Sequence, residues 1–525
     1  MFYRNSLRGA GALASISLLA GCGVFSDAEA DGKGKVTVGT VSEPSTLDPA
    51  AAYDGSWELY RNVFQTLLSF PTGSTSPQPD AATCKFSDSA NKIYTCRLRK
   101  DLTFSNGEKL DAEAVKHTVD RIRRINAKTG PQALLGSLAA VTVDGSRTVT
   151  FRLKASDATF PFILATPALS LVPPGQYPAD KLRTDGKLTG SGPYVLKKYA
   201  EGDRAELGRN GSYKGFAQRR NDSVTIRYFK DSGAMVKALE DRKIDVTYRG
   251  LTAAEVGKFQ EGLPRHKGLR LVESVGADIR YLVFNADDPV AGKLAVRRAI
   301  AQLIDRGRLV RTAYRGTAEP LYSMVPKGIA GHTGKFFDIY GEPDREKARK
   351  ILKDAGIDEP VPLELWYTTD RYGSSTEAEF AEIKKQLDTS GLFQATVRGK
   401  PWSEFQKGYA AGQYPVFGRG WFPDFPDPDN FIAPFVGDQN ALNTPYRNPR
   451  ITDTLLPQSR REVDRGAVTR QFHEAQEILA KDVRLLPLWQ GKLYVATTEE
   501  IGGAERALDP QTVMQLWELF RKGKW

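Results

Sequence analysis

Apolar residues recur along this chain at two spacings, one typical of strands and one typical of helices. Apolar residues that alternate with small or polar ones over 36–41, 83–98 and 141–153 predict strands, with hairpins over the last two segments. Apolar residues three or four positions apart predict amphipathic helices. These occur in the sets Val115, Val119 and Ile122; Val296, Ile300, Leu303 and Ile304; Ala348, Ile351 and Leu352; Phe380, Ile383 and Leu387; and Phe472, Ala475 and Leu479. The chain shows no repeat, and the pattern predicts a mixed α/β fold built from several short sheets.

Two of these helices carry their own boundary signals. Asp111 and Asp344 each stand directly before an apolar helical face, where an aspartate side chain can accept from the free backbone N–H groups of the first turn. Glu113 suits that first turn because the helix dipole is positive there. Gly356 follows the second face, and glycine commonly ends a helix.

The first residues are typical of an export signal. Arg4 and Arg8 precede a short apolar segment, 10–20, and no acidic residue occurs before Asp27. The apolar segment is too short to span a bilayer as a mature helix. We therefore expect residues 1–21 to be a cleaved signal peptide.

Cys22 indicates that the signal peptide is of the lipoprotein type. Ala20 and Gly21 precede it in the sequence LLAGC, which resembles the lipobox of bacterial lipoproteins. The resemblance implies that the thiol of Cys22 receives a diacylglyceryl group, that cleavage precedes it, and that the new amino terminus is acylated. Residues 22–35, rich in small and polar residues, then form a lipidated flexible tether to a membrane. The alternative is an ordinary signal peptide with a chance cysteine.

Composition narrows the class of protein further. A hydrophobic content of 40% describes a globular body, and the part after the signal is too long for one hydrophobic core. No later stretch is apolar for long enough to predict a transmembrane helix. The formal net charge is +11, but the basic residues are scattered and diluted by acids rather than concentrated on one helix or arm. That distribution argues against a nucleic-acid-binding protein.

The remaining cysteines predict one structural bond. If Cys22 carries lipid, only Cys84 and Cys96 remain, and they lie on the two predicted strands of one hairpin. Paired strands bring the thiols close, and an exported protein meets an oxidising compartment, so we predict a Cys84–Cys96 disulfide. The chain has no CxxC motif and its four histidines are far apart, so no metal site is expected.

Six motifs in fixed order point to a family. They are Ser45–Pro49 (STLDP), Phe104–Val115 (FSNGEKLDAEAV), Gly190–Leu196 (GSGPYVL), Val296–Asp305 (VRRAIAQLID), Asp344–Gly356 (DREKARKILKDAG) and Gly420–Phe431 (GWFPDFPDPDNF). Each motif alone is weak, but together, behind a lipobox, they resemble the extracellular solute-binding proteins of family 5, which serve ABC importers of dipeptides, oligopeptides and nickel. The resemblance covers essentially the whole mature chain.

The resemblance implies a two-lobe α/β fold of the periplasmic-binding-protein type, type II, with an extra inserted domain. The two lobes close on a ligand about a hinge near Tyr281 and Trp489. The expected boundaries are 36–60, 185–280 and 490–525 for the N-terminal lobe, 61–184 for the inserted domain, and 281–489 for the C-terminal lobe.

The resemblance also implies a ligand site. In the peptide-binding branch an aspartate three residues after the motif tryptophan pairs with the ligand's α-ammonium group, and that position is Asp424, after Trp421. Main-chain groups at Gly420 and Phe422 would pair with the ligand as an added strand. Tyr53 lies in a loop where the first lobe of this family meets ligand.

Other interpretations of these residues stay open. Aspartates in a loop rich in proline often make turns, as we expect for Asp427 and Asp429. Asp424 could do the same, and Trp421 could be a ligand wall or lobe packing. Arg419 is not favoured as the cation that meets a ligand carboxylate, because its side chain alternates away from its neighbours in a strand.

The function implied is capture of short peptides by a lipid-anchored, extracellular or periplasmic substrate-binding protein. It would be a monomer without a cofactor and would deliver peptide to the permease and ATPase subunits of an ABC importer. The alternatives are a non-peptide solute (an oligosaccharide, an opine or a nickel chelate), a peptide-sensing receptor and, remotely, a secreted hydrolase. The sequence contains no GxSxG, HExxH or P-loop motif, so we do not expect an enzyme.

Overall fold

A computed structural model describes residues 34–52, 56–438, 440–442, 444 and 446–523. The predicted signal peptide 1–21, the lipidation site Cys22, nearly all of the tether and the candidate ligand residue Tyr53 lie outside the described residues. Within the described residues, no helix is long and apolar enough to cross a membrane.

The described residues form strands and helices along the whole chain. The strands are β1 (Lys35–Thr40), β2 (Leu68–Ser69), β3 (Gln78–Pro79), β4 (Ala82–Phe86), β5 (Ile93–Leu98), β6 (Leu138–Asp144), β7 (Thr148–Leu153), β8 (Tyr194–Ala200), β9 (Arg204–Arg209), β10 (Ser223–Tyr228), β11 (Val246–Thr247), β12 (Leu269–Phe284), β13 (Ala318–Pro320), β14 (Val361–Thr368), β15 (Phe393–Lys400), β16 (Val416–Trp421), β17 (Leu485–Thr498), β18 (Ile501–Gly502) and β19 (Phe520–Arg521). The helices are α1 (Trp57–Val63), α2 (Ala112–Ile125), α3 (Phe160–Ile163), α4 (Ser232–Glu240), α5 (Ala253–Gln260), α6 (Leu294–Leu303), α7 (Arg306–Tyr314), α8 (Lys335–Tyr340), α9 (Arg345–Lys353), α10 (Thr376–Thr389), α11 (Trp402–Ala410), α12 (Leu456–Ser459) and α13 (Thr469–Asp482).

One mixed sheet runs through both halves of the molecule. Its strand order is β15-β14-β16-β12-β17-β11-β1-β10-β9-β8, with β13 added on β17. The two longest strands, β12 and β17, are antiparallel neighbours at its centre. Their register shifts between Val275 and Ile279 and again between Arg280 and Tyr281, so the ladder is interrupted twice where it passes from one half of the sheet to the other.

Hydrophobic cores lie on both sides of these interruptions. The largest core combines residues between 36 and 248 with the C-terminal stretch 495–519 and with Phe425. Two further cores combine residues between 277 and 489. The C-terminal stretch therefore returns to the first lobe after the chain has built the second, and we keep the lobe and insertion boundaries given above as a proposal.

A small antiparallel sheet, β4-β5-β7-β6, lies in the segment where we expect the inserted domain. Its first two strands form the predicted hairpin, in which Cys84 and Cys96 are directly paired. The predicted disulfide between them is present in the structure. The next helix, α2, begins where its cap predicts, because Oδ1 of Asp111 accepts from the N–H of Ala114 at 3.1 Å.

The loop that contains Asp48 is tied to this region by a buried ion pair. Both carboxylate oxygens of Asp48 accept from the guanidinium of Arg121 in α2, at 2.7 and 2.6 Å, and both side chains are almost fully buried. The same oxygens accept from the N–H groups of Ala50 and Arg183. One carboxylate therefore fixes three separate segments of the first lobe.

Replacing Asp48 by alanine would leave the buried guanidinium of Arg121 without its counter-ion. We expect Asp48→Ala to lower the free energy of unfolding by about 3–5 kcal/mol, measured by urea denaturation. Asp185→Ala is the matched control, since Asp185 also pairs with an arginine, Arg183, but its own side chain is exposed, and its effect should stay within about 1 kcal/mol. Equal effects of the two substitutions would contradict the structural role given to Asp48.

Candidate functional site

The predicted site is built on β16, whose position depends on β12. Residues Val416–Trp421 pair with Ile279–Phe284 of β12 along the full length of β16. On its other side β16 pairs with β14 only at Val416 and Phe417. The last four residues of β16, 418–421, therefore have no pairing with β14. On that side their backbone forms an edge of the sheet.

Gly420 allows a close approach of a guanidinium to this strand. Gly420 is paired with Arg280 of β12, and a Cβ atom at position 420 would lie 2.4 Å from Nη1 of Arg280. That separation is shorter than an ordinary contact, so a side chain at position 420 would require the guanidinium of Arg280 to move. Phe422, the next candidate, is 47% exposed, and its ring centroid is 5.1 Å from the guanidinium carbon of Arg280.

Asn430 holds the loop that follows β16. Its Oδ1 accepts from Nε1 of Trp421 at 3.1 Å and from the N–H of Asp424 at 2.9 Å. Its Nδ2 donates to Oδ2 of Asp424 at 2.8 Å. One amide side chain thus joins both ends of the loop and orients the carboxylate of Asp424, which is 9% exposed.

Two neighbouring aspartates brace the same loop. The carboxylate of Asp427 accepts two hydrogen bonds from Arg465, at 2.7 and 3.0 Å, and that of Asp429 accepts two from Arg460, both at 2.9 Å. Asp427 also accepts from the N–H of Asp429, the local turn contact expected from the sequence. Burial raises the pKa of Asp427, and Arg465 opposes that shift. The loop is therefore fixed by long-range ion pairs as well as by turns.

The loop also meets the first lobe. The side-chain N–H of Gln511 donates to the backbone carbonyl of Asp424, and Arg61 of α1 donates to Oε1 of the same glutamine at 2.7 Å. The ring of Phe425 lies 5.9 Å from that of Phe162 and belongs to the core of the first lobe. Asp424 therefore lies where the two lobes are in contact.

The candidates differ in their surroundings. The ring of Trp421 is half-buried and contacts Phe435 edge to face at 5.0 Å, within the second lobe. Gly420, Trp421, Phe422 and Asp424 lie together at the end of β16 and in the loop that follows it.

The sequence did not single out three residues of this region. They are Asn430 at the end of the motif, Gln511 in the C-terminal stretch and Arg280 in β12. Only Asn430 had a local signal, its place directly after the Asp-Pro-Asp sequence of the motif, while nothing near Gln511 or Arg280 in the sequence marked them.

Within the stretches that the structure describes, no group of three or more histidine, cysteine, aspartate or glutamate side chains could hold a metal ion. The charges around Asp424 are arranged for hydrogen bonding and ion pairing.

Comparisons with known proteins agree on one family. A family model described as bacterial extracellular solute-binding proteins, family 5 Middle, matches residues 76–443. A probable D,D-dipeptide-binding periplasmic protein, DdpA of Escherichia coli K12, is 24% identical over 490 residues, which cover 90% of this chain and 91% of that protein. The glutathione-binding protein GsiB of Salmonella typhimurium LT2 is 26% identical over 484 residues, 89% of this chain and 91% of that protein.

Solved structures give the same fold. The Helicobacter pylori periplasmic binding protein DppA, in complex with the peptide STSA, superimposes with a TM-score of 0.76 at 23% identity, covering 93% of this chain and 98% of that one. HbpA2 of Haemophilus parasuis gives a TM-score of 0.80 at 19% identity, covering 93% and 100%. The predicted α/β fold of the type II periplasmic binding proteins is confirmed.

Asn430→Ala would remove three hydrogen bonds from the buried loop at once, two accepted by Oδ1 and one donated by Nδ2. We expect the free energy of unfolding to fall by about 1–3 kcal/mol, because the N–H groups of Trp421 and Asp424 lose their partner. Urea denaturation followed by tryptophan fluorescence measures both the loss and the changed surroundings of Trp421. Asn106→Ala, at an exposed position, should change stability by no more than about 0.5 kcal/mol, and a similar loss there would contradict the special role of Asn430.

Proposed function

The chain belongs to the bacterial extracellular solute-binding proteins of family 5, and on that premise we propose that it captures short peptides between two lobes for import. The family consists of substrate-binding proteins rather than enzymes. Its relatives above are named for dipeptides and for glutathione, which are both short peptides or peptide-like molecules, and a peptide is the ligand we assign to this chain.

The buried carboxylate of Asp424 is the observation that carries this proposal. An ammonium group removed from water is costly unless it meets a charged acceptor, and Asp424 offers one at the contact between the lobes. Asn430 holds the carboxylate at 2.8 Å, so the carboxylate does not have to be ordered when ligand arrives. We assign Asp424 to the α-ammonium group of the peptide.

The end of β16 would provide the second part of the site. An extended peptide can add to a strand edge through main-chain hydrogen bonds, which supply affinity without reading side chains. The backbone at Gly420 and Phe422 is our candidate for that pairing, and Trp421 for a wall beside it. Pro423 has no N–H group, so the added ladder would end there.

The partners follow from the family and from the N-terminal pattern. We propose that Cys22 carries lipid and tethers a monomer to the outer face of the cell membrane, with 22–35 as the tether. The closed, peptide-loaded form would then dock on the permease subunits of an ABC importer, and the ATPase subunits would supply the energy. No cofactor has a part in this cycle.

Asp424→Asn tests the ammonium assignment with little change of shape. We expect peptide affinity, measured by isothermal titration calorimetry, to fall at least about 30-fold, because a buried ammonium loses its counter-charge. The same titration with N-acetylated peptide should bind weakly to both proteins. Asp464→Asn, at an exposed position, is the control and should bind as the parent does. Peptide binding that is unchanged in Asp424→Asn would reject the site but not the function.

Cys22→Ser tests the anchor. If the thiol carries lipid, the substituted protein should move from the membrane fraction to the soluble fraction of cells, because the acyl chains supply the membrane affinity. Mass spectrometry of the N-terminal peptide of the parent protein should show the acyl groups directly. Persistence of the variant in the membrane fraction, with no acyl mass on the parent, would contradict the anchor.

A further inference from the structure

Most of the net positive charge of the chain lies in one segment. Residues 61–184, which we assign to the inserted domain, contain seventeen lysines and arginines but ten aspartates and glutamates, a formal net charge of +7. The whole chain has a formal net charge of +11. The basic residues follow no single helix or arm, but they are concentrated in this domain, and a strongly basic surface attracts anionic partners.

The small sheet β4-β5-β7-β6 presents part of this charge on one face. Side chains alternate between the two faces of a strand, so residues that are directly paired across the sheet share a face. On the inner face, Tyr94, Cys96, Val149 and Phe151 are buried. The outer face, which we call the basic face, carries three exposed cations separated mainly by threonines: Thr83 and Lys85 in β4, Thr95 and Arg97 in β5, Thr142 in β6, and Thr148, Thr150 and Arg152 in β7.

The three cations have no charged partner among the described residues. Lys85, Arg97 and Arg152 are each directly opposite uncharged residues on the neighbouring strands. Within the described residues, none of the three side chains forms an ion pair or a hydrogen bond. Asp144, at the end of β6, is the one acid in these four strands, and it lies two strands away from Arg97, at about 10 Å. The charges of the basic face are therefore open to a partner outside the molecule.

Exposed cations in the second lobe are treated differently. On α9, Lys350 pairs with Asp354, and Arg345 and Arg349 both pair with Glu346. Local pairs of this kind offset the charge of a helix surface. The basic face lacks such acids, so its like charges repel one another unless an anionic partner compensates them.

The disulfide of the small sheet fixes two of these cations relative to each other. Cys84 and Cys96 are directly paired across β4 and β5, and the disulfide joins them. Lys85 and Arg97 follow these cysteines in the sequence, and their side chains therefore point to the opposite face. The covalent link thus holds together the two strands that carry them.

We propose that the basic face binds the anionic phospholipid surface of a membrane. The choice of a membrane rests on the lipid anchor proposed above at Cys22, and it does not depend on a peptide being the ligand. The expected tether, 22–35, spans at most about 50 Å when fully extended, so the folded body would stay close to the bilayer. Basic side chains near an anionic leaflet are attracted by its negative surface potential.

The chemistry of the basic face suits lipid phosphates. The forked donors of an arginine match the oxygen atoms of a phosphate, and the ammonium group of a lysine binds a phosphate as a point charge. The acyl chains at Cys22 would restrict only the N-terminus, whereas contact through the basic face would add a second point. Two points of contact would give the body a preferred orientation on the membrane.

Lysine acylation in the full, lipid-anchored chain tests this contact. The protein is inserted into preformed vesicles of phosphatidylcholine, with or without about one third phosphatidylglycerol, and labelled with an amine-reactive ester. Mass spectrometry should show Lys85 reacting at least about 3-fold more slowly on the anionic vesicles at about 0.1 M salt. At about 1 M salt the difference should disappear, because the Debye length falls to about 3 Å. Lys350 of the second lobe is the internal control and should react equally on both kinds of vesicle.

Variants of the basic face test its residues. Arg97→Gln combined with Arg152→Gln should remove the protection of Lys85, because one cation alone is attracted weakly. Arg345→Gln combined with Arg349→Gln is the matched control, since it removes two exposed arginines from the second lobe and should leave the protection unchanged. Circular dichroism checks that each variant folds.

Two results would overturn the proposal. The first is equal acylation of Lys85 in the parent protein on neutral and on anionic vesicles. The second is protection of Lys85 by soluble polyphosphate but not by anionic vesicles, which would assign the basic face to an anionic polymer and reject the membrane as its partner.

A flotation assay separates this proposal from the anchor. If mass spectrometry finds no lipid on Cys22, the full chain from the soluble fraction is floated with the same two kinds of vesicle. Flotation with anionic vesicles alone would support the basic face and reject the anchor. No flotation with either kind would reject both, and peptide binding, measured separately, would stand or fall on its own titration.

Discussion

The pairing of β12 with β17 is the interaction on which the rest of the structure depends. Leu269–Val275 pairs with Lys492–Thr498 on one side of the break in the ladder, and Ile279–Val283 pairs with Leu485–Gln490 on the other. Every other strand of the main sheet is added outward from this pair, including β16 and the loop after it. The backbone ladder therefore holds both halves of the molecule in one sheet, and its regular pairing is broken between Val275 and Ile279 and between Arg280 and Tyr281.

Buried charge is the second constraint, and the molecule treats it in two ways. Asp48, Asp427 and Asp429 each receive a forked pair of hydrogen bonds from an arginine, so their burial is compensated within the fold. The pairs of Asp427 and Asp429 hold the loop at the contact between the lobes, and the pair of Asp48 holds a loop within the first part of the chain. Arg419 is also buried, but its guanidinium lies against aromatic rings, and its Nε and Nη1 atoms have no hydrogen-bond partner among the described residues. The three paired aspartates stabilise loops of the fold, whereas Arg419 lies in β16 beside the proposed peptide edge.

Local patterns in the sequence predicted the local structure well. The Cys84–Cys96 hairpin, the helix capped by Asp111 and the helix after Asp344 depend on contacts within about a dozen residues, where spacing and residue type are sufficient. The motifs also predicted the family and the fold. What spacing could not predict are contacts between distant segments: Arg465 is 38 residues from Asp427, and Gln511 is 87 residues from Asp424. The first pair depends on how the second lobe folds and the second on how the two lobes come together, and no local pattern encodes either.

The shared space of Gly420 and Arg280 ties two positions together in evolution. A side chain at 420 would have to displace the guanidinium of Arg280, so a larger residue at 420 fits best where residue 280 is smaller or oriented differently. A relative without an arginine at position 280 could carry a side chain at position 420. That side chain would leave less room for a ligand beside the strand edge. Sequences of this family that differ in ligand should therefore change these two positions as a pair, and the pair can serve to sort them.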